Sequence, residues 1–241
     1  MINIVIPMAG LGSRFVSAGY KKPKPFIDVG GVPMIIKVLR NLNYPGARYI
    51  LVARREHIEL EFNLVEKIKQ EFNAVFIPID SVTEGTACTV LFARKYINNG
   101  VPLLIANSDQ LVDIKIEEFI DDCINRDLNG SILSFIDKDK NPKWSFAKTD
   151  GNGFVTQVKE KDPISEVATV GVYMFNRGSL FVNGAIDMII ENDRSGGEFY
   201  TCPVYNYLIR DGFKIGIYNI DELQMHGLGT PSDLKKYLRS V

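Results

Sequence analysis

Short apolar runs and amphipathic stretches alternate through the first half of the chain. This alternation is typical of parallel strands joined by crossover helices. In the second amphipathic stretch, apolar side chains from Ile58 to Phe72 recur at three- and four-residue steps, which predicts a helix with one buried stripe. We predict strands at residues 2–6, 48–53, 74–78 and 103–106, and helices at residues 32–42, 57–72 and 86–97.

The pattern changes after Ile105, where strands become more frequent. The sequence Asp150-Gly151-Asn152-Gly153 is a tight-turn signal, so residues 145–159 are predicted to form a hairpin. Thr230 is the expected N-cap of the last helix. We predict helices at residues 116–123, 180–191, 203–210 and 231–238, and strands at residues 131–136, 145–148, 154–159, 168–175 and 214–219.

This order of elements predicts a single α/β domain over residues 1–241, built as a three-layer α/β/α sandwich with a mixed, mostly parallel central sheet. Open α/β sheets bind ligands beyond the carboxyl ends of their strands. The loops that follow the first strand, Phe76 and Ile105 are therefore expected to share one crevice.

Composition limits the possible partners and the compartment. A hydrophobic fraction of 46% in 241 residues is enough for a sizeable core, and the net charge of −1 argues against nucleic acid and anionic membranes as partners. Cys88, Cys123 and Cys202 are odd in number and far apart, which favours reduced thiols over a disulfide framework. The sequence shows no signal-peptide pattern and no apolar run of about 18 residues, so we expect a cytoplasmic protein.

The strongest chemical signal follows the first strand, where residues 8–15 read MAGLGSRF. Gly10 and Gly12 allow backbone N–H donors to approach a phosphate or a base edge closely. Ser13 adds a hydroxyl group, and the planar guanidinium of Arg14 matches two phosphate oxygens. Such a loop is suited to a polyphosphate.

Two lysines extend this basic loop. Each stands before a proline, in the pairs Lys22-Pro23 and Lys24-Pro25. A proline disfavours the helical conformation of the preceding residue, so both lysines are predicted to be extended, which lowers the entropy that ligand binding costs.

These motifs resemble those of the sugar-phosphate nucleotidyltransferases, the pyrophosphorylases that join a nucleoside triphosphate to a sugar 1-phosphate. Their pattern of a strand, a G-x-G-[ST]-R loop, a K-P-[KM]-x segment and P-M-I is found here at residues 2–6, 10–14, 22–25 and 33–35. Similar segments follow in the family's order at residues 84–87, 107–109, 158–161, 170–173 and 229–231. The resemblance is strongest to short bacterial proteins associated with surface-polysaccharide genes. It implies a Rossmann-like nucleotidyltransferase fold that is similar to the GT-A fold.

The resemblance divides the chain into a nucleotide-binding half, residues 1–113, and an acceptor-binding half, residues 114–241. The nucleotide-binding candidates are Met8, Ala9, Gly10, Gly12, Ser13, Glu84, Gly85, Thr86 and Asn107. The acceptor-binding candidates are Glu160, Gly171 and Glu198. The catalytic candidates are Arg14 and Lys24, which would hold the triphosphate, and Lys161, which would hold the acceptor phosphate.

Asp109 is the candidate ligand for Mg²⁺, because the family carries its metal-binding aspartate at this position. A carboxylate at a strand end also suits a metal ion that keeps waters and takes phosphate oxygens. The family usually has glycine before this aspartate, whereas this chain has Ser108. The family often has a second metal-binding aspartate two residues before G-T, where this chain has Gly227. The candidates for a replacement ligand are Asp221, Glu222 and His226.

The implied reaction is an in-line displacement in which the acceptor phosphate attacks the α-phosphorus and pyrophosphate leaves. CTP, UTP and dTTP all stay open as the nucleotide. A sugar 1-phosphate is the first acceptor class, and a small non-sugar metabolite such as phosphocholine is the second. Candidate aromatic residues of the acceptor pocket are Trp144, Phe199, Tyr200 and Tyr205.

Two other classes of protein stay open. A GT-A glycosyltransferase would use a finished nucleotide sugar and a D-x-D pair, which Asn107-Ser108-Asp109 matches only in part. A non-catalytic relative would bind nucleotide to regulate a partner, and the loss of the second aspartate favours it. The oligomeric state also stays open.

Overall fold

The strands of the computed structural model follow the apolar runs of the sequence. The structure describes residues 1–240. Its strands are β1 (Ile2–Pro7), β2 (Ala47–Arg54), β3 (Ala74–Ile79), β4 (Leu103–Ala106), β5 (Gln110–Val112), β6 (Gly130–Ile136), β7 (Ser145–Thr149), β8 (Val155–Glu160), β9 (Val167–Phe175), β10 (Ile215–Ile220) and β11 (Met225–Gly227).

The main sheet has the strand order β10-β6-β9-β4-β1-β2-β3. Strands β4, β1, β2 and β3 are parallel neighbours, as are β10 and β6, whereas β9 is antiparallel to both β4 and β6. The predicted hairpin is present, since β7 and β8 pair antiparallel, and β7 joins the sheet through Phe146 and Ala168. The mixed, mostly parallel sheet predicted from the sequence is confirmed.

Helices cover both faces of this sheet and give the three predicted layers. They are α1 (Ser13–Ser17), α2 (Met34–Asn41), α3 (Arg55–Leu60), α4 (Phe62–Glu71), α5 (Thr86–Leu91), α6 (Arg94–Ile97), α7 (Ile116–Asn125), α8 (Gly178–Ile190), α9 (Val204–Arg210) and α10 (Pro231–Leu238). Side chains of β1 show the arrangement: Ile4 and Ile6 pack into the core with α2, α4, α7 and α10, and Val5 packs into the core with α5, α6, α8 and α9. Both faces of the strand are buried, so it is apolar except at Asn3, whose buried amide donates to the carbonyl of Tyr96 at 3.3 Å.

Two predicted helices are broken in the structure. The helix predicted at residues 57–72 is divided into α3 and α4 at Glu61, whose φ of −110° leaves the helical region and whose carboxylate lies 3.6 Å from the ammonium group of Lys22. The helix predicted at residues 86–97 is divided into α5 and α6 at Phe92 and Ala93. Neither break contains glycine or proline, so hydrophobic periodicity gave no sign of them.

The prediction that Lys24 is extended is wrong. Residues Lys24–Phe26 form a short 3₁₀ helix, in which the N–H of Phe26 donates to the carbonyl of Pro23 at 2.9 Å. The aromatic ring of Phe26 is fully buried, and this packing outweighs the preference that Pro25 imposes on the residue before it.

The predicted N-cap of the last helix is present. Thr230 caps α10 by accepting the N–H of Asp233 at 3.1 Å. Within residues 1–240 the cysteines are free thiols, with Cys123 and Cys202 buried and Cys88 half-buried. No helix in this range has both the length and the hydropathy needed to cross a bilayer.

Candidate active site

The glycine loop packs against the lysine segment that follows it. Gly12 precedes α1 with φ of +61°, a left-handed conformation that favours glycine, and a Cβ at this position would lie 3.1 Å from Cβ of Lys24. Met8 is buried and donates its N–H to the carbonyl of Val52 at 2.8 Å. The loop is therefore fixed to the carboxyl end of the sheet.

A cavity of about 920 Å³ opens beyond these strand ends. It brings together residues of the predicted nucleotide-binding half with residues of the predicted acceptor-binding half. The predicted site residues that line it are Arg14, Thr86, Asn107, Asp109, Glu160, Lys161 and Gly171.

Asp109 lies on the cavity wall between β4 and β5 and is paired with Lys24. The ammonium group of Lys24 contacts its carboxylate directly, with about a fifth of each side chain exposed. The backbone of Asp109 is fixed as well, since its carbonyl accepts the N–H of Leu228 at 2.7 Å. The basic loop and the carboxylate therefore face each other across one site.

Gly171 of β9 occupies a backbone conformation with φ of +90°. The N–H of Asn107 donates to its carbonyl at 3.0 Å, and a Cβ on Gly171 would lie 2.1 Å from Nδ2 of Asn107. Glycine is required here because the amide group of Asn107 lies where a side chain would be.

The end of β8 lines the large cavity with residues predicted to bind the acceptor. Glu160 is half-buried and accepts a hydrogen bond from the hydroxyl group of Ser145. Burial raises the pKa of Glu160 above its ordinary value, and neither the hydroxyl group of Ser145 nor the charge of Lys161 reverses this effect. The ammonium group of Lys161 donates to the hydroxyl group of Tyr200 at 2.7 Å.

A smaller cavity of about 120 Å³ adjoins the large one. The predicted site residues that line it are Ala9, Gly10, Gly85, Thr86 and Glu198. Thr86 and Tyr200 line both cavities, so the two spaces meet at these side chains. The glycine loop thus faces both the start of α5 and Glu198.

Within residues 1–240, the other predicted site residues stand behind or beside the cavity walls. Met8 is buried under the glycine loop, and Ser13 is an exposed residue at the start of α1. Lys24 is paired with Asp109, which lines the cavity. The carboxylate of Glu84 is paired with Arg194 at an O–N distance of 2.5 Å, and Glu84 lines neither cavity. Among the aromatic candidates, Trp144 and Tyr200 line the large cavity, whereas Phe199 and Tyr205 are core residues.

The candidates for a second metal ligand are divided by the structure. Asp221 caps the 3₁₀ helix Glu222–Gln224, while Glu222 and His226 line the large cavity. His226 is already engaged, since its Nε2 lies 2.7 Å from the carboxylate of Asp113. In the described part of the chain, no three His, Cys, Asp or Glu side chains form a metal cluster.

A comparison of the sequence with protein families gives one clear match. The family model described as "Nucleotidyl transferase" matches residues 4–199, which contain the glycine loop, Lys24, Asp109 and Lys161. The chain belongs to the nucleotidyl transferase family.

Relatives and solved structures agree with this membership. The chain is 26% identical to the bifunctional protein GlmU of Methanococcus aeolicus over 97% of its own length and 53% of that protein, so it spans about half of that relative. It is 24% identical to the UTP–glucose-1-phosphate uridylyltransferase AglF of Haloferax volcanii over 96% of its own length and 93% of that protein. It resembles the crystal structure of the nucleoside-diphosphate-sugar pyrophosphorylase from Vibrio cholerae RC9 with a TM-score of 0.82 and 27% identity, covering 98% of this chain and 99% of that one.

Sequence reasoning missed one wall of this nucleotidyl transferase site. Strands β5 and β11 form a small antiparallel ribbon, with Gln110 opposite Gly227. The wall continues into α10, where Lys236 and Tyr237 line the large cavity. The strands of the ribbon are too short to show a periodic pattern, and α10 carried only the signal of an ordinary amphipathic helix.

Proposed function

We propose that this chain transfers a nucleoside monophosphate from a nucleoside triphosphate to a phosphorylated acceptor and releases pyrophosphate. The observation that carries the proposal is the contact between Lys24 and Asp109 on the wall of a cavity that also contains Arg14 and Lys161. Two phosphorylated substrates brought to this cavity would each meet a cation, and the carboxylate would stand between them.

The residues divide the work by position. Arg14, on the first turn of α1, would bind two oxygens of the triphosphate, and Lys24 would contact a third. Lys161, which follows β8, also lines this cavity and would hold the acceptor phosphate. An acceptor phosphate is already ionised near neutral pH, so the attack at phosphorus needs orientation and charge neutralisation rather than a general base.

The residues fit a Mg²⁺ ion that arrives with the triphosphate. Such an ion takes one or two carboxylates from the protein, and its other ligands are phosphate oxygens and waters. Asp109 supplies one carboxylate on the cavity wall, where the paired Lys24 marks it as a site of negative charge. When bound there, the ion would neutralise charge that develops on the phosphates.

A sugar 1-phosphate is the acceptor that we propose. The wall beside Lys161 carries hydroxyl groups and a carboxylate, from Ser145, Thr169, Tyr173 and Glu160, which are the groups that bind sugar hydroxyls. The proposed product is a sugar nucleotide for surface polysaccharide synthesis, formed in the cytoplasm where nucleoside triphosphates are available. CTP, UTP and dTTP are the proposed donors.

The test is a screen for pyrophosphate release with Mg²⁺. Each triphosphate is combined with glucose 1-phosphate, mannose 1-phosphate and phosphocholine, and nucleoside diphosphate formation from UDP-glucose is measured in parallel. We expect pyrophosphate from at least one sugar 1-phosphate. Turnover of phosphocholine alone would show that the acceptor is a small non-sugar metabolite. Free nucleoside diphosphate from UDP-glucose would indicate a glycosyltransferase. Binding of nucleotide without any turnover would indicate a regulatory protein.

A further inference from the structure

Lys161 is held in an unusual backbone conformation at the end of β8. Its φ of +55° lies in the left-handed region, which is uncommon for a residue with a side chain. Its N–H donates to the carbonyl of Trp144 at 3.0 Å, which fixes the turn. This conformation directs the side chain of Lys161 away from the hairpin toward Tyr200, a residue 39 positions later.

Tyr200 contacts Lys161 in two ways. Its hydroxyl oxygen accepts a hydrogen bond from the ammonium group at 2.7 Å, and the ammonium nitrogen lies 4.5 Å from the centre of its ring. The same hydroxyl group donates to the carboxylate of Glu198. Lys161, Tyr200 and Glu198 therefore form a continuous hydrogen-bonded set, which we call the tyrosine clamp.

The clamp spans the two cavities. Lys161 lines the large cavity, Glu198 lines the smaller one, and Tyr200 lines both. Its members thus lie between the space beside the acceptor wall and the space beside the glycine loop.

The segment that carries Tyr200 is joined to the start of α5. The N–H of Phe199 donates to the carbonyl of Glu84 at 2.7 Å, and the N–H of Ala87 donates to the carbonyl of Phe199 at 2.9 Å. The hydroxyl group of Thr86 accepts the N–H of Thr201 at 3.1 Å. Tyr200 is therefore fixed to the segment predicted to read the nucleotide, while it holds the lysine predicted to bind the acceptor.

The pKa shifts of Lys161 and Tyr200 agree with the hydrogen bonds of the clamp, in which Lys161 donates to Tyr200 and Tyr200 donates to Glu198. Burial lowers the pKa of Lys161, but the hydrogen bond to Tyr200 and the nearby carboxylates outweigh it, and the net pKa is raised. Burial, followed by the hydrogen bond to Glu198, raises the pKa of Tyr200. Lys161 therefore stays charged and Tyr200 stays a neutral phenol near neutral pH.

We propose that Tyr200 is a positioning residue that holds the ammonium group of Lys161 at the junction of the two cavities, so that the acceptor phosphate is bound beside the nucleotide. The inference rests on the proposed function for its catalytic consequence. The clamp itself is a property of the protein without substrates and is testable without turnover.

The first test is nuclear magnetic resonance of lysine ammonium groups in the protein without substrates. The signal of Lys161 is assigned by its loss in Lys161→Met. We expect a protected signal in the wild type and, in Tyr200→Phe, water exchange about five- to tenfold faster, because the hydrogen bond is lost while the ring is kept. Tyr96→Phe is the matched control, since Tyr96 also has a lysine over its ring, at 4.9 Å, and lies away from both cavities. Unchanged exchange in Tyr200→Phe would overturn the clamp.

The second test is steady-state kinetics with glucose 1-phosphate, or with the sugar 1-phosphate that the screen selects. Tyr200→Phe is expected to raise KM for the sugar phosphate about five- to tenfold and to leave KM for the triphosphate within about twofold. The double variant Lys161→Met/Tyr200→Phe is expected to be no worse than Lys161→Met, because Tyr200 acts through Lys161. Additive losses, or an unchanged KM for the sugar phosphate, would overturn the positioning role. Absence of turnover in the wild type would instead refute the proposed function, and the ammonium signals would still decide whether the clamp exists.

Discussion

Two lysines lie at the large cavity, Lys24 behind Asp109 and Lys161 in the lining, and their partners differ. Lys24 contacts the carboxylate of Asp109, whereas Lys161 donates to the neutral phenol of Tyr200. The first cation is paired directly with a carboxylate, whereas the phenol of Tyr200 separates the second from the carboxylate of Glu198. On the proposed function, a triphosphate with its metal ion would have to separate an existing ion pair, whereas an acceptor phosphate would meet a charged group that is already in position.

Asp109→Asn is the variant that breaks this comparison most directly. We expect magnesium-dependent pyrophosphate release to fall by about 10³-fold, because the carboxylate for the metal ion is lost. We also expect triphosphate binding in EDTA, measured by calorimetry, to become tighter, because Lys24 is no longer neutralised. Asp80→Asn is the control, since Asp80 is paired with Arg55 on the surface. An Asp109→Asn protein with full activity would show that the metal assignment is wrong.

Arg14→Ala tests the predicted triphosphate side of the large cavity and leaves the pair between Lys24 and Asp109 in place. We expect pyrophosphate release to fall by about 10²-fold, mainly through weaker transition-state binding of the triphosphate, with an unchanged melting temperature because the side chain is exposed. Arg40→Ala, which removes a surface arginine paired with Glu71, should leave the rate unchanged. A rate within a factor of two of the wild type would exclude Arg14 from the site.

Gly171→Ala disturbs β9 at the point where this strand lines the large cavity. The new Cβ would lie 2.1 Å from Nδ2 of Asn107 at a φ of +90°, so we expect the free energy of unfolding to fall by about 1–3 kcal/mol. Both Michaelis constants should rise, since Asn107 and Gly171 line the cavity in which both substrates are proposed to bind. Denaturant unfolding measures the first effect, with Gly100→Ala as control because a Cβ there has no neighbour within 4 Å. An unchanged free energy of unfolding would contradict the close approach.

The smallest effect is expected from Glu160, a carboxylate on the Lys161 wall. Burial raises its pKa in the folded protein, so the folded state keeps a proton that the unfolded chain releases above about pH 4.3. Rising pH therefore favours unfolding through this group. Glu160→Gln should gain in melting temperature relative to the wild type, by roughly 2 °C, as pH rises from about 4 to 8. A difference that instead grows on acidification would show that the pKa is lowered.

The sheet and its layers could be predicted because the strands are apolar and the turn signals are local. The run from Ile2 to Ile6 and the turn at Asp150 both act over a few residues, and both appear in the structure as expected. The breaks at Glu61 and Phe92 could not be predicted, because neither contains the glycine or proline that marks a helix end in a sequence.

In the candidate site, too, local motifs were predictable from the sequence and contacts between distant residues were not. Arg14, Asp109 and Lys161 were found from motifs, and the structure places them on one cavity. The link from Lys161 to Tyr200 joins residues that are distant in sequence, and it depends on the left-handed backbone of a lysine, for which the sequence carries no signal. The ribbon of β5 and β11 was missed for a related reason, since it exists only once a strand from the middle of the chain pairs with one near its end.

Strand β9 has a consequence for any attempt to divide the protein. It comes from the second half of the chain, yet it pairs with β4 of the first half, from Leu103↔Phe175 to Ala106↔Val172. A fragment that ended at residue 113 would leave this side of β4 as a bare apolar edge, which is a template for intermolecular strand addition. We therefore expect either half, expressed alone, to aggregate, and complementation between separately purified halves to require their refolding together.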